Sequence, residues 1–191
     1  MSSTILRRSG RLRPVAALAF LAVSLLARPA RAHEIPTGVA VVAFVKVDSG
    51  AAGARLRVLV RAPLEAVRDV DFPQPGLGYL DLVRSAPLAR DAAQLWIANA
   101  IRVLEHGEEL PPGTIIATRI SLPSDRAFAG YERALATVLG APLDIATDVP
   151  WQQASLDVLL EYPIASASSD FSIPPGLAGL GIQTATVLRF F

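Results

Sequence analysis

Two periods of apolar residues organise this chain after residue 38. Val39 to Val47 is an apolar, β-branched run, and Arg55 to Ala62 alternates, with Leu56, Val58 and Val60 on one face and Arg55, Arg57 and Arg61 on the other. The turn sequence DSGAAG at 48–53 between them predicts a hairpin. Ser155 to Tyr162 repeats the alternation: Leu156, Val158, Leu160 and Tyr162 point inward, and Ser155, Asp157 and Glu161 outward. This is the pattern of an antiparallel sheet with one face on the core and one in water.

Helical spacing appears twice. From Ala86 to Asn99, Leu88, Ala92, Leu95, Trp96 and Asn99 fall on one stripe, with Ser85 as the predicted cap and Pro87 in the first turn. From Arg126 to Leu139, Phe128, Tyr131, Leu135 and Val138 share a face behind the cap Ser124-Asp125. Ile101–Glu105, Thr114–Leu122 and Gly181–Phe191 supply further strands. The resulting order β-β-α-β-β-α-β-β predicts an α+β domain: a mainly antiparallel, β-sandwich-like sheet with two short inserted helices. DFPQPGLGY and ASASSDFSIPPG read as loops, and there is no internal repeat.

The first thirty-two residues follow neither period. Arg7, Arg8, Arg11 and Arg13 precede Val15–Ala27, an uncharged run of 13 residues, and Ala30-Arg31-Ala32 follows Pro29. A membrane-crossing helix needs about 20 apolar residues, so 1–32 reads as a cleavable signal peptide. The expected mature part is a single extracytoplasmic domain, 33–191, exported to the periplasm or to the periplasmic face of the inner membrane. Arg7-Arg8 is a poor match to a twin-arginine signal.

Removing that segment changes the charge. Six of the 18 basic residues lie in 1–32 and none of the 17 acidic ones does, so the mature part carries 12 basic against 17 acidic residues, a net charge of −5. An acidic domain whose only lysine is Lys46 has no basic stripe for nucleic acid and no polybasic cluster for anionic lipid. With no cysteine, it has no disulfide, thiol nucleophile, thiolate metal site or lipidated cysteine.

Candidate chemistry is sparse. The two histidines are His33 and His106. Cleavage after Ala32 would give His33 a free amine beside its imidazole, a chelate suited to nickel, cobalt or copper. His106, in a turn with Glu105, Glu108 and Glu109, could complete such a metal site with Glu34. The alternative is a frayed terminus and a solvated turn residue. The sequence lacks a Gly-x-Ser-x-Gly elbow and a Gly-rich phosphate loop. The acidic pairs Asp69/Asp71 and Glu108/Glu109 sit at turns, where carboxylates are ordinarily solvated. The chain therefore reads as a non-enzyme. Trp96, Trp151, Phe72, Tyr79 and Phe171 are candidates to line a ligand groove. Trp96 lies on an inward stripe, whereas Trp151, at a strand entry, is either edge of core or a partner contact.

The loop segments DVDFPQPGLGYLDLVR at 69–84, RISLPSDRAFAGYERAL at 119–135 and EYPIASASSDFSIPPGLAGLG at 161–181 resemble the extracytoplasmic N-terminal region of bacterial membrane proteins of the HupE/UreJ type. HEIPTGVAVVAFVK at the mature start and TVLRFF at the end fit the same region. The resemblance implies a domain displayed outside the inner membrane, followed by several transmembrane helices whose His and Asp residues are associated with nickel or cobalt uptake. This sequence stops at Phe191 before any such helix. The expectation is thus a non-catalytic accessory domain whose partner is a membrane-embedded permease part or its own missing C-terminal half. A stand-alone periplasmic metal-binding protein using His33 and an adhesion or protein-interaction module are the alternatives.

Overall fold

In the computed structural model, which describes residues 38–50, 53–181 and 183–191, the chain builds an α+β fold dominated by sheet. The order is β1 (Val39–Gly50), β2 (Gly53–Pro63), α1 (Leu82–Ala93), β3 (Leu104–Glu105), β4 (Glu108–Glu109), β5 (Thr114–Ser121), α2 (Tyr131–Leu139), β6 (Ser155–Pro163), β7 (Phe171–Ser172) and β8 (Thr184–Phe190). Five strands form the main sheet in the order β5-β6-β2-β1-β8, and β4-β3-β7 form a small second one. All pairs are antiparallel except β1–β8, which is parallel. Alternation of side chains reports which face a residue takes and is blind to strand direction.

One face of the main sheet carries the larger core. Val41, Ala43 and Val45 of β1, Leu56, Val58 and Val60 of β2, and Leu156, Val158, Leu160 and Tyr162 of β6 are buried there, as the alternation predicts. α1 lies against it through Ser85, Ala89, Ala92 and Ala93. The small side chains let the helix backbone come close to the sheet. Tyr162 places its hydroxyl as donor to Ile101 O at 3.3 Å, and burial pushes its phenol pKa up to about 12.

The first helix starts earlier than its periodicity predicts. Asp81 is the cap, its carboxylate accepting from the Arg84 N–H at 3.0 Å, while Ser85 sits buried one turn inside. Pro87 falls in the helix interior and not in its first turn. Beyond Ala93 the helix widens into a π turn over Gln94–Ala98. The second helix is split: a 3-10 turn at Ala127–Ala129, whose first N–H donates to the Asp125 carboxylate at 2.7 Å, is separated from α2 by the extended Gly130. Ile101–Glu105 contributes only two residues to a strand.

The second face of the sheet is not open to water, which corrects the one-sided reading. Strand register aligns Phe44, Leu59, Leu159 and Ala117 in a row across β1, β2, β6 and β5. This row is covered by Ala127, Phe128, Tyr131, Ala134 and Val138. Phe44 stacks on Phe128 with centroids 5.6 Å apart and meets Phe191 edge-on. Each large side chain so buried contributes about 1.5–3 kcal/mol.

Charged rows flank the apolar one. On one side Lys46, Arg57 and Glu161 align; on the other Arg61, Asp157 and Arg119 do. Arg61 grips Asp157 with two bonds of 2.6 and 2.7 Å, and the Ser121 hydroxyl donates to the same carboxylate at 2.6 Å. Glu161 accepts from both Arg55 and Arg57 at 2.8 Å. Asp157 is fully buried. Desolvation pushes its pKa up against the opposing pull of Arg61 and Ser121.

Candidate functional site

The ends of the two helices and the β5 edge enclose a cleft of about 510 Å³. Leu82, Val83, Ala86 and Ala89 of α1 form one wall. Val138 and Gly140 at the end of α2, with Pro142, Leu143 and Ile145, form the other. Thr118, Arg119 and Ile120 of β5 line it between them, and Arg119 is the one ionisable residue of the lining.

The register explains how an arginine reaches this place. Arg119 stands opposite Asp157, but that carboxylate is already occupied by Arg61 and Ser121. The Arg119 side chain instead donates through Nη1 to Thr137 O at 3.2 Å and to Ala141 O. A cation at the carbonyls where a helix ends complements the helix dipole. Its Nε–H is buried without a partner. Val83 and Ile145 are largely exposed on the walls. Apolar walls around one guanidinium suit an apolar segment or an amphiphile with a negative end.

A second exposed apolar feature lies at the turn Gly76-Leu77-Gly78-Tyr79. Leu77 is 97% exposed and adopts φ 52°, between glycines at φ 151° and 78°. The turn is held by Tyr79 N–H to Gly76 O, Leu80 N–H to Val149 O and Trp151 N–H to Gly78 O, at 3.3, 3.0 and 2.9 Å. A non-glycine residue in the left-handed region costs about 1 kcal/mol, so the surrounding bonds impose the conformation. Trp151 is half-buried against the main core, and its backbone supports the turn that displays Leu77.

The sequence-predicted residues fall as follows. His33 and Glu34 lie outside the described residues. His106 is exposed at the β3–β4 turn with φ 51°, followed by Gly107 at 86°, as a tight hairpin turn requires. Its carboxylate neighbours have separate tasks. Glu105 accepts backbone N–H bonds from Ala165 and Ser166 at 3.0 and 3.1 Å, and the Ala165 bond is the main cause of its lowered pKa. Glu109 pairs with Arg102, and Glu108 is exposed. Among the described residues no three or more His, Cys, Asp or Glu side chains are gathered as a metal would need. Asp69 and Asp71 are exposed.

The candidate aromatics do not line the cleft. Phe72 is buried, and the Trp96 indole donates to Arg68 O at 2.5 Å. Sequence reasoning did not find Arg119, Val83, Ile145 or Leu77. The PGLGY turn was legible as a loop, but exposure of its leucine follows from tertiary bonds to Val149 and Trp151.

No protein-family model matches this chain, no curated protein matches it, and no solved structure matches its fold.

Proposed function

We propose that this chain is a non-catalytic accessory domain, exported to the periplasmic side of the inner membrane, that works by holding a membrane-embedded partner of the HupE/UreJ type in the setting of nickel or cobalt uptake. The observation that carries this reading is the use made of polar and apolar groups. The buried carboxylates Glu105, Asp157 and Glu161 are spent on tying strands and a loop together, whereas the surface offers an apolar cleft around Arg119 and a rigidly displayed Leu77. Such surfaces bind, and the Ser121 hydroxyl held against Asp157 is fully buried, away from them.

A photoreactive amino acid at Val83 or Ile145, introduced into the native gene, tests it. The expected product is a cross-link to a membrane-embedded polypeptide, or to a membrane-embedded part of the same polypeptide, recovered in the inner-membrane fraction. Recovery of the chain in the cytoplasm with residues 1–32 intact, or cross-links only to cytoplasmic proteins, would overturn the reading.

A further inference from the structure

β8 is one of the two edge strands of the main sheet, and among the described residues no strand pairs with its outer side. Val39 N–H donates to Gln183 O at one end of the β1–β8 pair, and Phe191 N–H donates to Val45 O at the other. In the parallel ladder between these two bonds, the odd residues of β8 turn their backbone groups to β1. Thr184, Thr186, Leu188 and Phe190 therefore aim N–H and C=O groups outward. Val187 and Phe190 remain 49% and 57% exposed. The strand TATVLRF has one charged residue, Arg189, and no proline. Edges left to solvent are normally guarded by charge, proline or a bulge.

We infer that β8 pairs antiparallel with β8 of a second copy of this chain, about a two-fold axis at Val187. The parity and the charge argue for this occupant. An axis at Val187 sets Thr184 against Phe190 and Thr186 against Leu188, so that outward-facing groups meet outward-facing groups along the whole strand. An axis at Thr186 or Leu188 would leave an end of the strand unpaired. The Val187 register also sets Arg189 against Ala185, which keeps the two guanidinium groups from facing each other, and sets Val187 against its own copy. Like charges directly opposite are destabilising in a sheet, and β-branched pairs are favoured. The result is a continuous sheet of two copies, a closed isologous contact that does not propagate into fibres. This inference does not depend on the proposed function and leaves the cleft at the opposite edge open.

The absence of native cysteine makes the register directly readable. Across a non-hydrogen-bonded antiparallel pair the Cα atoms are about 4.5 Å apart, within the range a disulfide spans. In the purified protein, Val187→Cys is expected to give a disulfide-linked dimer under mild oxidation at least about tenfold faster than Ala185→Cys, which faces Arg189. Val187→Asp, at a half-exposed position that the single chain tolerates, is expected to weaken the dimer seen by analytical ultracentrifugation by about tenfold or more with an unchanged circular dichroism spectrum. Val83→Asp in the cleft serves as control and leaves the dimer intact. A chain that sediments as a monomer throughout the micromolar range, or cross-linking as fast at 185 as at 187, would overturn the inference.

Discussion

The two edges of the main sheet are built in opposite ways. β5 is sheathed: Ile120 and Ser121 are buried, Arg90 of α1 reaches Ile115 O at 3.1 Å, and Arg119 ties the strand to the end of α2. β8 has exposed positions along most of its length; Leu188 packs partly buried on the larger core, and Phe191 beyond its end meets Phe44 and Tyr131. An edge becomes part of the interior when helices lie along it. Otherwise it stays a template for another strand. α1 lies along β5, and α2 crosses the other face of the sheet, from Tyr131 against Phe191 to its end at Arg119 of β5.

The largest expected effect lies on the sheathed side. Asp157→Ala leaves the Arg61 guanidinium, itself mostly buried, without its carboxylate, and should cost about 3–5 kcal/mol in denaturant unfolding. A loss below about 1 kcal/mol would mean that Asp125, already 3.3 Å from Arg61 Nη2, suffices as partner, and that the buried pair is not what joins β2, β6 and β5. Next in size, Ile120→Ala on β5 should cost about 2–4 kcal/mol by cavity formation. Val187→Ala on β8, measured at concentrations where the chain is monomeric, should change stability by no more than about 0.5 kcal/mol. Equal costs would break the comparison between the edges.

How much of this was legible depends on what alternation encodes. Leu56, Val58, Val60 and the even residues of β6 were placed correctly because one buried face with period two is an unambiguous signal. The second face reads as solvent-exposed because arginines and carboxylates occupy much of it. The contrary signal was present in Leu59 and Leu159, two leucines on the polar side that pair with each other across β2 and β6. An isolated leucine among charges is common, and only the register turns two of them into a row. The parallel β8 was beyond reach for another reason: direction of pairing depends on where the chain goes between Pro163 and Thr184, and that path has no period. Asp81 is hidden as a cap because Pro87 fits the first turn of a helix starting at Ser85.

A smaller effect distinguishes the edges by pH. Although burial raises the Glu161 pKa, the bonds from Arg57 and Arg55 outweigh it, and the group lies below its ordinary value of 4.5. A carboxylate depressed in the folded state contributes stability that is fully present above the unfolded value and is lost as pH falls through the folded one. Glu105 acts in the same direction. The contribution of these two carboxylates should therefore be flat above about pH 5 and decline below about 4.5, while Asp157, whose pKa is raised by burial, acts in the opposite direction. In Glu161→Gln the acid decline should be shallower, while Val187→Ala should leave it unchanged. An identical acid profile in Glu161→Gln would remove the Arg55, Arg57 and Glu161 cluster from the account.

Arg119→Met sharpens the comparison at a single side chain. The substitution removes the bonds to Thr137 O and Ala141 O, each worth about 1 kcal/mol net, and the favourable charge at the end of α2. It also removes a buried Nε–H that has no partner, a group whose burial costs about 1–3 kcal/mol. These terms oppose each other, so the fold should lose no more than about 1 kcal/mol, far less than with Asp157→Ala, although the two residues stand opposite each other in the sheet. Because stability is nearly conserved, the variant reports on the cleft. Fewer cross-links from Ile145 in Arg119→Met would assign the guanidinium to holding the partner. Unchanged cross-linking would confine it to closing α2 against the β5 edge.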